Sequence, residues 1–241
     1  MTTIAILFWT GVFLVFYTYL GYGILLWTLV KIREALRPAR RYEVPAEAPE
    51  VTLLIAAYNE QEVVAEKMAN CRALDYPAGK IRVTWITDGS TDRTVELLAA
   101  YPEVTGLHDP RRGGKTAALN RALGIVRTPL VVFTDANTHL NREALREIVH
   151  AFVNPKVGCV AGEKRIAMQS KDNAASGGEG IYWKYESTLK ALDSRLYSAV
   201  GAAGELFAVR RELFEDMRTD TLLDDFILSL RCLLYTSPSP R

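Results

Sequence analysis

A carboxylate and an amide follow a strongly apolar stretch in the middle of this 241-residue sequence. Residues 130–133 are large and apolar, and Asp135 and Asn137 come just after them. Such a run predicts a strand buried on both faces, and in an open α/β sheet ligands bind at the carboxyl ends of the strands. Carboxylate and amide oxygens suit a hard divalent cation, so Asp135 and Asn137 are candidate metal ligands. The alternative is that Asp135 only opens a turn after the strand.

Three further aspartates are candidates for the same chemistry. Asp88 follows the apolar run 81–87, where its carboxylate can accept hydrogen bonds from a base or a ribose. Asp224 and Asp225 lie near the start of an amphipathic stretch, residues 222–231, where a helix is expected to begin. Compensation of the helix dipole explains one of these two acids. The second allows one carboxylate to point into the crevice and act as a general base.

A Gly-Gly-Lys sequence, Gly113 to Lys115, precedes another predicted helix. The glycines allow the backbone to approach a ligand closely, because they carry no Cβ atom. The start of the helix offers free amides and the positive end of the helix dipole. Together with Lys115, this segment is a candidate cradle for a diphosphate.

The first apolar run, residues 51–57, ends in Tyr58, Asn59 and Glu60. Tyr58 can stack on a base and Asn59 can hydrogen-bond to one, although such a turn is often only a helix cap. The turn lacks the glycines of the dinucleotide fingerprint, which argues against a nicotinamide or flavin cofactor.

The elements that position these residues alternate along the chain. Strands are predicted at residues 51–57, 81–87, 104–107, 130–134, 157–161 and 206–210. The helix after Asp88 is expected to reach Ala100, with Ser90 or Thr91 as its cap, and another helix is expected at residues 141–153. Strand and helix alternate four times, which predicts a largely parallel sheet in an α/β fold.

The N-terminal region predicts a membrane helix. Residues 4–30 contain no charged side chain, and this stretch exceeds the roughly 20 residues that a helix needs to cross a bilayer. A cleaved signal peptide is the competing interpretation, but the basic leader and the small-residue cleavage site that it requires are absent from this sequence.

A basic, proline-containing linker is predicted at residues 31–49. Its basic residues are Lys31, Arg33, Arg37, Arg40 and Arg41. Because positive charge concentrates on the cytoplasmic side of membrane spans, we expect the rest of the chain to be cytoplasmic. A solvated linker alone would also explain these charges.

Overall composition excludes two further classes. The net charge is +1, which gives no field that would attract nucleic acid. The chain has 3 cysteines and 3 histidines, and they are too far apart for the usual zinc spacings.

Taken in order, these pieces resemble the family-two glycosyltransferases, the large inverting group that includes cellulose, chitin and hyaluronan synthases. The resemblance spans residues 51–231, within a catalytic domain assigned to residues 50–231. The motifs that carry it are Ala57-Tyr58-Asn59-Glu60, Asp88-Gly89-Ser90-Thr91-Asp92, Gly113-Gly114-Lys115 through Asn120, Asp135-Ala136-Asn137, Gly204-Glu205 and Asp224-Asp225 through Arg231. The resemblance implies the A-type glycosyltransferase fold, which is Rossmann-like with a largely parallel sheet, here preceded by one transmembrane helix.

The resemblance also implies a nucleotide-diphosphate-sugar donor, with a UDP-sugar favoured, and Mg²⁺ or Mn²⁺ as cofactor. The residues that it assigns to donor binding are Tyr58, Asn59, Glu60, Asp88, Lys115 and Asp135. In this assignment Asp88 would hold the base, Lys115 would lie near the diphosphate, and Asp135 would bind ribose and the metal. Asp225 would deprotonate the acceptor hydroxyl. The residues expected near the acceptor and the sugar are Gly204, Glu205 and Asp224.

This sequence departs from the family pattern at three positions. Thr87 replaces an acid that often precedes Asp88, and Asp224 replaces the usual glutamate of a Glu-Asp pair. Asn137 replaces the second acid of the metal motif, and we expect it to be a weaker ligand because an amide oxygen can still bind a hard cation. Residues 232–241 contain two prolines that stop a helical pattern, and they resemble a non-native tail. The hypothesis is a C-terminally truncated membrane synthase.

The sequence therefore predicts a membrane-anchored glycosyltransferase of a bacterial inner or plasma membrane. It would transfer a sugar with inversion to a glycan acceptor during synthesis of a cell-envelope or extracellular polysaccharide. Two alternatives stay open: transfer to a polyprenyl phosphate or another lipid, and a catalytically dead membrane module that binds nucleotide sugars.

Overall fold

A computed structural model describes residues 2–36, 42–43, 45–163, 174–218 and 220–236. The chain forms two compact units, one made of residues 42–164 and 200–241, and the other made of residues 1–41 and 165–199. The first unit contains the sheet and every candidate site residue named above.

The sheet has six strands in the order β3-β2-β1-β4-β6-β5. Their bounds are β1 Val51–Ala57, β2 Ile81–Asp88, β3 Val104–Asp109, β4 Leu130–Asp135, β5 Cys159–Ala161 and β6 Leu206–Arg210. Strands β1 to β4 are parallel to their neighbours in this group, whereas β6 is antiparallel to both β4 and β5. The predicted largely parallel sheet is therefore confirmed, with one antiparallel strand, β6, next to the edge strand β5.

The register of the sheet brings the candidate residues to one edge. Ala56 pairs with Asp135, and Ala57 pairs with Thr87, so the strands that precede Tyr58, Asp88 and Asn137 end side by side. Because β1, β2 and β4 are parallel neighbours, their carboxyl ends must meet at the same edge.

The helices of this unit cover both faces of the sheet. They are α3 Val64–Arg72, α4 Thr94–Leu98, α5 Lys115–Leu123, α6 Ala144–Ala151 and α8 Asp224–Thr236, with a short 3₁₀ turn at Arg211–Leu213. Side chains of β1 alternate between two core clusters, with Leu53 and Ile55 in one and Leu54 in the other. This two-sided burial explains why the central strands read as unbroken apolar runs.

Several predicted bounds differ from those in the structure. The helix after Asp88 ends at Leu98 and not at Ala100, and the helix predicted at residues 141–153 covers only Ala144–Ala151. Helix α8 runs to Thr236, and Cys232 on it is 2% exposed within a core cluster. Cys232 therefore belongs to the fold, although the sequence analysis ended the catalytic domain at residue 231 and assigned Cys232 to the tail. Residues 237–241 lie outside the described part of the chain.

The second unit is a pair of packed helices. Helix α1 Thr2–Phe16 continues through a π-helical turn, Tyr17–Gly21, into α2 Tyr22–Leu36, and α7 spans Ala174–Leu196. Leu26 and Val30 of α2 are buried against Leu192 of α7. The Tyr22 hydroxyl donates a hydrogen bond to Asp193 Oδ1 over 2.8 Å, which adds a polar contact to the apolar packing.

Among the described residues, Thr2–Leu36 is the one helix that is long and apolar enough to cross a membrane. It contains the predicted span at residues 4–30 and extends beyond it. The prediction that the rest of the chain is cytoplasmic rests on five basic residues, of which Lys31 and Arg33 lie on this helix. Arg37, Arg40 and Arg41 lie outside the described residues.

Candidate active site

Asp88 organises the glycine loop at the end of β2. Its carboxylate accepts hydrogen bonds from the Gly113 amide, over 3.1 Å to Oδ1 and 3.0 Å to Oδ2, and from the Gly114 amide over 2.7 Å. Asp88 is only 6% exposed, and Arg121 Nη1 lies 3.9 Å from Oδ1. The carboxylate that the sequence placed against a base or ribose therefore points at the loop, and it occupies two amides of the predicted diphosphate cradle.

The backbone around this loop requires glycine at two points. Gly114 precedes α5 with φ of 91°, and Gly89 follows Asp88 with φ of 69°. A Cβ atom on Gly89 would lie 2.9 Å from the backbone nitrogen of Arg112. The loop can thus approach the end of β2 only because residue 89 has no side chain.

Replacing Gly89 with alanine is expected to destabilise the protein strongly. The substitution combines a left-handed backbone conformation with a backbone clash, which together cost about 2–5 kcal/mol. The free energy of unfolding, measured by chemical denaturation of the full chain in detergent, checks this. Gly79→Ala is the matched control, because Gly79 has φ of 75° but no atom within 4 Å of the added Cβ. Equal losses in the two variants would contradict the close approach of the loop.

Lys115 joins two carboxylates from distant parts of the chain. Its Nζ atom donates a hydrogen bond to Asp135 Oδ1 over 3.1 Å and lies 3.8 Å from Asp224 Oδ2. Burial opposes the charge of this lysine, but attraction by Asp135, Asp224 and Asp225 prevails and raises the pKa of Lys115. A charged ammonium at the start of α5 is suited to an anionic ligand, because it adds to the positive end of the helix dipole.

The same residues line a narrow cleft. Lys115, Asp135, Gly204 and Asp224 form its polar wall. Phe133 and Phe207 also line it, and their rings stack at 4.6 Å between centroids. The structure therefore brings together four of the residues that the sequence analysis selected.

Asp224 is a buried carboxylate whose Oδ2 atom accepts no hydrogen bond from any residue that the structure describes. Burial raises the pKa of Asp224, attraction by Lys115 opposes this, and repulsion by Asp225 and Asp135 raises it further. A buried oxygen without a donor costs free energy in the folded protein. Such an atom is available to a ligand that can donate to it.

Asp224→Asn is expected to change how stability depends on pH. Because the folded pKa of Asp224 is raised, its ionisation destabilises the fold, and this cost appears as pH rises from the unfolded value of about 4 through the folded value. The melting temperature of the asparagine variant minus that of the wild type should therefore be larger at pH 8 than at about pH 4.5, which is close to the unfolded pKa. Thermal unfolding at both pH values checks this, and a constant difference would contradict the raised pKa.

Asp225 lies beside Gly204. A Cβ atom on Gly204 would approach Asp225 Oδ2 to 3.1 Å, so the glycine leaves room for this carboxylate. Asp225 Oδ1 accepts a hydrogen bond from the Phe226 amide over 2.8 Å, at the start of α8. The neighbouring Glu205 carbonyl accepts from the Asp135 amide over 3.4 Å, which links this loop to the end of β4. The predicted helix start with two acids is confirmed.

The turn after β1 is fastened to the turn after β2. Asn59 has φ of 55°, its Oδ1 accepts from the Thr91 amide over 2.8 Å, and its own amide donates to Ser90 Oγ over 3.2 Å. The hydroxyls of Ser90 and Thr91 therefore do not cap α4. Asp92 Oδ1 accepts from the Thr94 amide at the start of that helix instead.

Tyr58 and Glu60 flank this turn. The Arg112 guanidinium lies 3.9 Å from the centre of the Tyr58 ring, so one face of the ring already holds a cation. Burial raises the pKa of Glu60, and repulsion by Asp135 and Asp92 raises it further. Glu60 therefore feels the charge of the same carboxylate that contacts Lys115.

The candidate metal ligands fit a cation that is shared with a ligand. Among the described residues, no group of three or more His, Cys, Asp or Glu side chains forms a protein cage for a metal ion. Mg²⁺ is commonly held by one or two carboxylates together with substrate phosphates and waters. The half-exposed carboxylate of Asp135 and the exposed amide of Asn137 match that smaller donor set.

Sequence reasoning missed Lys67 and Asn70, which are buried polar residues on α3. Lys67 Nζ donates to Thr134 Oγ1 over 3.0 Å, and Asn70 Nδ2 donates to the Leu140 carbonyl over 2.7 Å. Both residues lie within the apolar spacing of Val64, Met68 and Cys71, which indicates a buried helix face. That spacing could have flagged a lysine among buried positions as unusual.

Comparison with solved structures identifies the fold. The mannosyltransferase PcManGT from Pyrobaculum calidifontis, solved in complex with GDP-Man and Mn²⁺, has a TM-score of 0.69 with this chain and 25% sequence identity. The alignment covers 91% of this chain and 62% of that chain. The predicted A-type glycosyltransferase fold is thereby confirmed for the mixed, mostly parallel sheet described above.

Sequence comparison identifies the family. Residues 52–218 match the family described as "Glycosyl transferase family 2", and the chain belongs to this family. Beta-monoglucosyldiacylglycerol synthase of Nostoc sp. is 32% identical over 215 residues, which cover 80% of this chain and 45% of that protein. Poly-beta-1,6-N-acetyl-D-glucosamine synthase of Staphylococcus aureus is 33% identical over 126 residues, covering 50% of this chain and 30% of that protein. The chain thus spans less than half the length of these relatives.

Proposed function

We propose that this chain transfers a sugar, with inversion, from a nucleotide-diphosphate sugar to a glycan or lipid acceptor. The observation that carries the proposal is the cleft in which Lys115 lies between Asp135 and Asp224, with Asp225 and Gly204 beside it. A cation and carboxylates at the carboxyl ends of parallel strands are suited to a diphosphate and its metal ion. Membership of the family and the donor bound by PcManGT support the same reading.

In this proposal the donor site uses the residues at the ends of β1, β2 and β4. Lys115 would bind the diphosphate and stabilise its charge as the nucleotide leaves. Asp135 and Asn137 would hold Mg²⁺ or Mn²⁺, which would neutralise diphosphate charge when bound. Tyr58, on the face that Arg112 leaves free, would stack on the base. Asp88 would act indirectly, by fixing the glycine loop through its hydrogen bonds to Gly113 and Gly114.

The acceptor reaction is a single displacement. Asp225 would take the proton from the acceptor hydroxyl, and that oxygen would attack the anomeric carbon on the face opposite the diphosphate. The bond to the diphosphate would break as the new glycosidic bond forms, so the configuration would invert. Asp224, whose Oδ2 atom accepts no hydrogen bond from the described residues, would accept one from a hydroxyl of the sugar or acceptor.

Membrane attachment is part of the proposal. The helix Thr2–Leu36 would anchor the chain, and Lys31 and Arg33 near its end would place the catalytic unit on the cytoplasmic side. The reaction would then serve the synthesis of a cell-envelope glycolipid or polysaccharide, including polymers of the cellulose, chitin and hyaluronan type.

A lipid acceptor is favoured by one observation beside the site. Leu222 is 94% exposed and Leu223 is 62% exposed, directly before the acidic pair. Exposed apolar side chains next in sequence to the cleft residue Asp224 suit an acceptor with an acyl or prenyl chain. The name of the Nostoc relative, beta-monoglucosyldiacylglycerol synthase, gives a glucosylated lipid as its product and agrees with this candidate.

The proposal is tested with the full chain in nanodiscs. UDP-glucose, UDP-N-acetylglucosamine and GDP-mannose, each with and without Mn²⁺ or Mg²⁺, are supplied with diacylglycerol, polyprenyl phosphate or oligosaccharide acceptors. We expect metal-dependent transfer from one donor, and a product whose anomeric configuration, measured by NMR, is opposite to that of the donor. Retained configuration would contradict the mechanism. Donor binding without transfer to any acceptor would favour the catalytically dead binding module.

A further inference from the structure

Lys67 is a charged residue in the core of the sheet unit. It lies on α3 and is 2% exposed, among the apolar residues Val64, Met68 and Cys71. Burial lowers the pKa of Lys67 to about 8, although attraction by the Asp135 carboxylate raises it in part. A buried ammonium is unfavourable unless hydrogen bonds compensate for its lost hydration. The contacts of Lys67 therefore have to account for its presence.

These contacts lie on both sides of the two candidate metal ligands, Asp135 and Asn137. Lys67 Nζ donates a hydrogen bond to Thr134 Oγ1 over 3.0 Å and another to the Thr138 carbonyl over 2.5 Å. Thr134 precedes Asp135, and Thr138 follows Asn137. The Thr138 amide also donates to the Asp135 carbonyl over 3.2 Å, which closes the turn. One buried ammonium thus holds both ends of the turn that carries Asp135 and Asn137.

Asn70 fastens the same segment further along. Its Nδ2 atom donates to the Leu140 carbonyl over 2.7 Å, and its Oδ1 atom accepts from the Leu140 amide over 2.9 Å. Asn70 lies one helical turn after Lys67 on α3 and is also buried. It is therefore a neutral anchor of similar environment, but its partner lies beyond Asp135 and Asn137.

We propose that Lys67 is a positioning residue of the donor site, which holds the turn at Asp135 so that its carboxylate faces Lys115 and the metal-bound diphosphate. The inference rests on the proposed function, because it assumes that Asp135 binds the donor through a metal ion. Asp135 has two cations near it: Lys115 Nζ lies 3.1 Å from its Oδ1 atom, and the ammonium of Lys67 hydrogen-bonds to the preceding residue, Thr134. Lys67 does not line the cleft, so its effect reaches the donor through the turn.

The test compares Lys67→Met with Asn70→Leu in the full chain in nanodiscs. Methionine keeps an unbranched side chain that is one heavy atom shorter than lysine, and it removes the charge and both hydrogen bonds. Residues that orient a metal ligand typically change metal affinity by about 10- to 100-fold, and we expect Lys67→Met to weaken Mn²⁺-dependent binding of the donor by that factor. Asn70→Leu should lose stability but keep the donor affinity of the wild type. UDP-glucose, UDP-N-acetylglucosamine and GDP-mannose are the probes, titrated against Mn²⁺ by calorimetry.

Two further variants separate positioning from folding. Thr134→Val removes one acceptor of Lys67 with little change in volume, and it should weaken donor binding in the same direction by a smaller factor. Lys67→Arg keeps the charge and should restore part of the affinity lost in Lys67→Met. Hydrogen exchange of the amides at residues 136–138 should be faster in Lys67→Met than in Asn70→Leu, with no donor present.

The outcomes distinguish this inference from the proposed function. If the wild type binds a donor and Lys67→Met binds it equally well, Lys67 is not a positioning residue and the proposed function stands. If donor affinity in Lys67→Met and Asn70→Leu falls in proportion to their lost stability, the role of Lys67 is structural only. If the folded wild type binds no donor with any metal ion, both proposals fail.

Discussion

Asp225→Asn is expected to reduce turnover by about 100- to 10,000-fold, which is the usual contribution of a general base. Asparagine has nearly the same shape as aspartate but cannot accept the proton of the acceptor hydroxyl. Because Asp225 lies beside Gly204 at the start of α8, the variant should keep the fold and the contact between Lys115 and Asp135. Initial rates of transfer at saturating donor, measured with the full chain in nanodiscs, check this prediction.

Donor binding provides the internal comparison for Asp225→Asn. Calorimetric affinity for the donor should stay close to that of the wild type, since the effect is expected on the chemical step and not on binding. Asp216→Asn is a matched control, because Asp216 is exposed and does not line the cleft. A turnover in Asp225→Asn equal to that of Asp216→Asn would remove Asp225 from the mechanism.

Asp135→Asn is expected to abolish the metal-dependent part of donor binding. The substitution keeps an acceptor for Lys115 but removes the negative charge that a hard cation prefers. Since the described residues offer no cage of three acidic, histidine or cysteine ligands, the loss of this one carboxylate should not be compensated by neighbours. We expect donor affinity in the presence of Mn²⁺ to fall by about 100-fold or more. This is the scale expected for the loss of one carboxylate–metal attraction in a partly buried site.

Comparison of Lys115→Met with Asp135→Asn separates the contribution of the lysine charge to donor binding from the contribution of the metal ion. Removal of the lysine should weaken donor binding with and without Mn²⁺, because Lys115 would contact the diphosphate directly. Asp135→Asn should weaken it only when Mn²⁺ is present. Calorimetric titration of both variants under the two conditions checks this difference. An unchanged Mn²⁺ dependence in Asp135→Asn would place the metal ion, if one is used, on other residues.

The sequence alone determined the architecture of the sheet unit and where its chemistry is concentrated. Strands β1, β2 and β4 are buried on both faces, so each appears as an apolar run that needs no tertiary information to be recognised. The polar residues that end these runs had to share one edge, because strands joined by helices in this way are parallel. The helix start at the acidic pair could likewise be predicted from local sequence.

Tertiary structure decided what each side chain contacts. The sequence indicated Asp88 as a ligand for a base, but packing brings it against the amides of Gly113 and Gly114. The approach of Asp224 to Lys115 depends on α8 and α5 packing in the same core cluster on one face of the sheet. Neither contact has a local pattern, because the partners are far apart in the chain and their orientation follows from packing on the sheet.

The direction of β6 and the contacts of Lys67 were decided in the same way. The apolar runs of β5 and β6 are compatible with either strand direction, which is fixed only by the pairing of β6 with β4 and of β5 with β6. The helical spacing of apolar residues in α3 indicates a buried face, but it does not indicate which residues would hydrogen-bond to a lysine on that face. Hydrogen bonds to Thr134 and Thr138 make the burial of Lys67 possible, and these partners become neighbours only after α3 packs against the end of β4.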